Sequence, residues 1–155
     1  MKRAILLAVS VAMLACSSGP KVRTIRPEIQ FVQLQGPADM SYPSGEFEVQ
    51  YGLHVANRSS EAITLKQVRL EPVGRGGPYV IRAETYYVTK TIGPDQFEDV
   101  SFWARADGSG DSHAMDATAP VTIRAIAYFN SPSGDFRQVL MKTLQQYGNG
   151  RRGGQ

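Results

Sequence analysis

Residues 46–55 read EFEVQYGLHV. Phe47, Val49, Tyr51, Leu53 and Val55 stand at alternate positions, with Glu46, Glu48, Gln50 and His54 between them. Successive side chains of an extended chain point to opposite faces, so this spacing predicts a strand with one face in a core and one in water. A helix would scatter the same apolar set around its circumference. Residues 121–129, VTIRAIAYF, repeat the pattern: Val121, Ile123, Ala125, Ala127 and Phe129 share a face, and Thr122 and Arg124 oppose them.

Working outward from these two, further segments read as strands with a fault in register. In AITLKQVRL, residues 62–70, the apolar set moves from Ile63 and Leu65 to Val68 and Leu70. That one-residue slip predicts a β-bulge at Lys66–Gln67. Phe31, Val32 and Leu34 show a similar slip. Residues 79–81, 86–92, 97–104 and 136–144 complete the set, separated by turn-forming stretches. These are Asn57-Arg58-Ser59-Ser60, 74–78, Gly93-Pro94-Asp95, and Asn130 to Asp135, which is expected to close a hairpin. Residues 138–146 are the one helical candidate. About seven short strands with turns at these intervals predict an all-β chain, an antiparallel immunoglobulin-like β-sandwich over residues 28–146. The polar loop 107–119 is expected to be mobile, and the tail 147–155 to be disordered, since it offers nothing to bury.

The chain has 155 residues, the size of one domain able to bury its own core. Setting aside Lys2 and Arg3 leaves 15 of the 17 basic residues against 14 acidic ones, so no nucleic-acid partner is expected. A single cysteine excludes an intrachain disulfide framework and a cysteine-rich zinc site.

That cysteine, Cys16, directly follows the leader MKRAILLAVSVAMLA. Lys2 and Arg3 form a positive region, and Ala4 to Leu14 an apolar run that as a helix would rise about 16 Å, too short to span a bilayer. The arrangement fits a secretory signal peptide over residues 1–15. Met13-Leu14-Ala15-Cys16 resembles the lipobox of bacterial lipoproteins; Ala15 and Cys16 carry the match, and Met13 stands where that family most often has leucine. The resemblance implies acylation of Cys16, residues 16–27 as a tether, and a place in the bacterial envelope, at the outer membrane facing the periplasm. Two or three acyl chains hold stably where one does not. The alternatives are signal cleavage after Ser17, which would release a secreted, soluble sandwich without lipid, and retention of the leader as an uncleaved anchor.

Few residues suggest chemistry. His54 lies on the polar face of its strand and His113 in the loop, so sequence brings no base and nucleophile together, and no serine sits in a G-x-S-x-G or S-x-x-K motif. No enzymatic activity and no cofactor are expected. Asp107, Asp111 and Asp116 are weak calcium candidates whose spacing does not follow the alternate ligand positions of a calcium loop. They keep open a ligand- or calcium-binding alternative. Gly74-Arg75-Gly76-Gly77 lacks phosphate-loop spacing. Asn57-Arg58-Ser59 matches a glycosylation sequon and reads better as a turn. Adjacent aromatics are more informative. Phe102 and Trp103 must face opposite sides of their strand, as must Tyr86 and Tyr87, and Tyr128 opposes the core set of its own strand. Trp103, Tyr128 and Tyr86 are therefore expected to form an outer-face cluster that binds an envelope protein.

The long strand ending in Asn57, then TIGPDQFEDVSFWARA at residues 91–106 and a closing hairpin, resembles the LEA14/WHy group of immunoglobulin-like sandwiches. Asn57-Arg58-Ser59 stands where that group often has Asn-Pro-Asn. The resemblance implies a small domain without enzymatic activity, and it transfers no catalytic residue.

Overall fold

A computed structural model describes residues 26–36, 44–74, 77–108 and 120–144. The leader, Cys16, most of the tether, Asp111, His113, Asp116 and the 147–155 tail lie outside the described residues. Among the described residues eight strands run in order: β1 (Glu28–Gln35), β2 (Glu46–Ala56), β3 (Ile63–Pro72), β4 (Tyr79–Ile81), β5 (Glu84–Ile92), β6 (Phe97–Gly108), β7 (Val121–Ser131) and β8 (Gly134–Leu144). They form two four-stranded antiparallel sheets, ordered β1-β2-β6-β4 and β5-β3-β7-β8. The fold is an all-β sandwich.

Strand β2 shows why the alternation decides the fold. Val49, Tyr51, Leu53 and Val55 are essentially inaccessible, while the outward Glu46, Glu48 and Gln50 are not buried. Opposite them, β7 buries Val121, Ile123, Ala125, Ala127 and Phe129. Alanines at 104, 106, 125 and 127 leave room between the sheets for Tyr51, Leu65 and Phe129. Phe31 stacks on Tyr51 at 5.2 Å between ring centroids, and Phe129 on Phe136 at 5.1 Å.

The slip at Lys66 is a bulge in which β3 loses register with both neighbours between Leu65 and Gln67. On the β5 side the same irregularity places Thr89 at φ 54°, a conformation β-branched residues rarely adopt. A second shift falls between Gln33 and Gln35.

One expectation changes. The helical candidate is the edge strand β8, which pairs with β7 from Gly134 through Leu144; residues 145–146 lie outside the described residues. Phe136, Leu140 and Leu144 recur at helical spacing, but they also share one strand face, and that face packs on the core. The eight strands of the described residues agree with the expected set, the short segment 79–81 included, which pairs as β4 with Ala106–Gly108 of β6.

Buried polar groups are used to close the ends and the core. Asn57 is fully buried. Its Nδ2 donates to the carbonyls of Glu61 (2.8 Å), Ile92 (3.1 Å) and Gly93 (3.0 Å), and its Oδ1 accepts from the Ser59 N–H (3.0 Å) and hydroxyl (2.7 Å). With its own N–H on the Gln96 carbonyl, it ties the β2–β3 turn to the β5–β6 turn. In the core, the Tyr79 hydroxyl donates to Gln33 Oε1 at 2.8 Å, so Tyr51, 3.1 Å away, donates to Tyr79. Burial pushes both phenols above their ordinary pKa.

Candidate interaction surface

Strand β6 places Trp103 on the outer face of the first sheet, 46% exposed, because Phe102, Ala104 and Ala106 take the inner positions. Its register partner on β2 is Gln50, itself paired with Gln35 of β1. One row away, Gly52 lies between Val32 and Ser101. The bulge in β1 lays Leu34 over this glycine: a Cβ added at Gly52 would stand 3.1 Å from Leu34 Cδ1. Val32 (42% exposed), Leu34 and Trp103 therefore form an apolar strip across three strands, over a glycine floor. Sequence reasoning missed Val32, Leu34 and Gly52. The signal was present, as a glycine on the polar face of an otherwise regular strand and two leftover aliphatics beside a slip.

The expected aromatic cluster does not form. Tyr128 belongs to β7, in the second sheet, and points outward on the far side of the molecule from Trp103. Sequence shows which residues of a strand share a face but not which sheet the strand joins. Tyr86 turns inward: its ring stacks on Phe102 at 4.7 Å, and its hydroxyl donates to the Trp103 carbonyl (2.9 Å) and to Glu84 Oε2 (3.2 Å). Burial raises its pKa. Tyr87 is the outward member of that pair, 83% exposed on the second sheet's outer face. The bond from Tyr86 matters to the surface, because β4 covers β6 only at Ala106–Gly108 and a side chain secures the Trp103 carbonyl instead.

Other candidates are committed elsewhere. Asp107 receives two bonds from Arg82, Nε to Oδ2 at 3.0 Å and Nη2 to Oδ1 at 2.8 Å. The guanidinium, which also donates to Glu46 at 3.2 Å, holds the Asp107 carboxyl below the usual carboxylate range. A bidentate arginine occupies the oxygens a calcium ion would need. The other two aspartates of that candidate, Asp111 and Asp116, lie outside the described residues, as does the lipidation candidate Cys16. His54 Nδ1 lies 2.7 Å from Asp99 Oδ1, and its ring lies 5.3 Å from that of Phe97. The pair sits on an open sheet face with Asp99 mostly exposed, and among the described residues no nucleophile is shown bonded to it. One dimple, lined by Pro72, Gly74, Tyr79, Ile81, Val121 and Ile123, has no room for a water molecule. Asn57 is inaccessible, so the sequon is a structural corner.

No protein-family model matches the chain, and no curated protein matches it. Among solved structures, it is similar to a structural-genomics target, with 14% identity over 81% of this chain and 89% of that one (TM-score 0.47). It is also similar to the GAE domain of yeast GGA1, with 12% identity over 76% and 89% (TM-score 0.47). A protein from Archaeoglobus fulgidus shows 11% identity over 76% and 94% (TM-score 0.45). At this distance none of these bears on function.

Proposed function

We propose that this chain is a lipid-anchored protein of a bacterial cell envelope, without enzymatic activity, whose immunoglobulin-like sandwich of the LEA14/WHy kind presents one sheet face to a protein partner. The leader and Cys16 support the anchor, which would place the domain at the outer membrane, facing the periplasm. Confinement there raises its effective concentration toward membrane-associated partners. The observation that carries the binding reading is the half-exposed indole of Trp103, beside Val32 and Leu34 on a sheet face with no covering element among the described residues. Tryptophan is enriched among residues that dominate binding energy, and a flat apolar strip rimmed by Glu48, Arg105, Asp99 and His54 suits a protein surface better than a small molecule.

The test is photocrosslinking in intact cells with a photoreactive side chain at Gln50, the register neighbour of Trp103, and a control at Thr143 on the opposite face. A discrete protein adduct from position 50 that vanishes with Trp103→Ala is the expected result. Identical adducts from both positions, or none from position 50, would refute the reading.

A further inference from the structure

The two outer faces of the sandwich carry opposite charge. On the first sheet, Glu28, Glu46, Glu48, Asp99 and Asp107 outnumber Arg82, Arg105 and the Arg58 that reaches Glu28 at 3.8 Å. On the second, Lys66, Arg69, Arg124 and Arg137 stand against Glu71 and Asp135. Glu71 is clamped from both sides: Arg69 Nε lies 2.8 Å from its Oε1, and Arg124 bonds its Oε2. The carboxylate is only 13% exposed while the two guanidiniums remain about half exposed, so what this centre shows to solvent is cationic. Around it the register lines up outward apolar groups. Ile126 pairs with Val139, Arg124 with Met141, and Tyr128 with Gln67, which also pairs with Tyr87. Val139, Met141 and Tyr87 are exposed by more than half.

We infer that the second sheet's outer face rests on an anionic lipid surface, with the first sheet turned away from it. Arginines worth about 1 kcal/mol each near such a surface, mixed with tyrosines and mid-sized aliphatics, match the polar–apolar boundary of a bilayer. The outward groups stand on one sheet face in register, a layout that suits a planar partner. The inference rests on the proposed anchor, since the residues from Cys16 to Glu28 reach at most about 40 Å and keep the domain within contact of the membrane. A second copy would have to set its acidic face on this basic one, a heterologous contact rather than the isologous one of a simple two-fold dimer. The same charge asymmetry holds the Trp103 strip toward the partner's side.

The chain's one tryptophan makes the orientation measurable. The native protein is reconstituted into phosphatidylcholine vesicles with one-third phosphatidylglycerol and lipids brominated near the headgroup. A second variant, Trp103→Phe with Tyr87→Trp, moves the indole to the other face at a highly exposed position. Native fluorescence should be nearly unquenched and that of the variant strongly quenched. Pure phosphatidylcholine, or Arg69→Gln with Arg124→Gln and Arg137→Gln, should abolish the difference. Equal quenching of both indoles, or greater quenching of Trp103, overturns the inference. Flotation with pure phosphatidylcholine reads the anchor separately. A native chain that fails there refutes the anchor, and the face is then judged by flotation with the anionic vesicles. The triple arginine variant should bind those on the order of 100-fold more weakly, and no binding by the native chain overturns the proposal. Salt-sensitive self-association without lipid, lost in the triple variant, would assign the face to a second copy and also overturn it.

Discussion

Three buried side chains with polar groups carry more of the structure than their neighbours. Asn57 uses both amide hydrogens and its oxygen on partners from two separate turns. Asn57→Ala leaves several buried carbonyls without a donor and should cost about 2–4 kcal/mol, lowering the melting temperature by about 10 °C. Thermal unfolding followed by circular dichroism measures this, and a change near zero would show that water replaces the amide. Tyr51 and Tyr79 contribute to the alkaline behaviour. Both phenols are raised by burial, so above about pH 10 the unfolded chain releases protons that the folded chain keeps. Their contribution is complete below that pH and declines as pH rises past it. Tyr51→Phe should cost about 1 kcal/mol at neutral pH and flatten this decline, since Tyr79 keeps its bond to Gln33. Urea unfolding between about pH 8 and about pH 11 compares the slopes.

At the scale of elements, the bulge at Lys66 reconciles two halves of β3 that would otherwise point their apolar sets to opposite faces. Its counterpart in β5 leaves Thr89 at positive φ, a conformation that asparagine tolerates far better. Thr89→Asn should therefore stabilise by about 1 kcal/mol and raise the melting temperature by a few degrees; a fall would mean that the threonine methyl contributes packing that the backbone geometry conceals. Much at this scale was legible beforehand. Alternation in β2 and β7 identified ten buried or core-packed positions, and the slip in 62–70 located the bulge. What was not legible is long-range. Whether Tyr86 or Tyr87 turns inward depends on where that bulge resets the alternation, and Asp107 could not be known to be spoken for without the approach of Arg82. In β8, Phe136, Leu140 and Leu144 satisfy helical and strand periods alike, and only pairing with β7 decides between them.

Across the whole molecule, the placement of Trp103 and Tyr128 on opposite outer faces replaces one expected aromatic cluster with two surfaces of different character. One is apolar with a rim of mixed charge, and the other basic with scattered aliphatics. Trp103→Ala should change stability by less than about 1 kcal/mol, because the carbonyl that Tyr86 bonds belongs to the backbone and survives the substitution. Partner capture should nevertheless fall, which pull-down against the native chain would show; a loss of several kcal/mol would instead make the indole a packing element. Cys16→Ala should move the protein from the membrane fraction to the soluble one on cell fractionation, and unchanged pelleting would contradict lipidation.

The pairing of β1 with β2 has a mechanical consequence. A chain moored at residue 16 and gripped by a partner at its first sheet would transmit tension through Glu28, the first residue of an edge strand. A pull along the strand axis loads the β1–β2 ladder in shear, from Glu28 opposite Ala56 to Gln35 opposite Gln50, so that many bonds must yield together. A pull across the axis would unzip the same ladder one rung at a time. The domain should thus resist force best when its strands lie along the line between mooring and load.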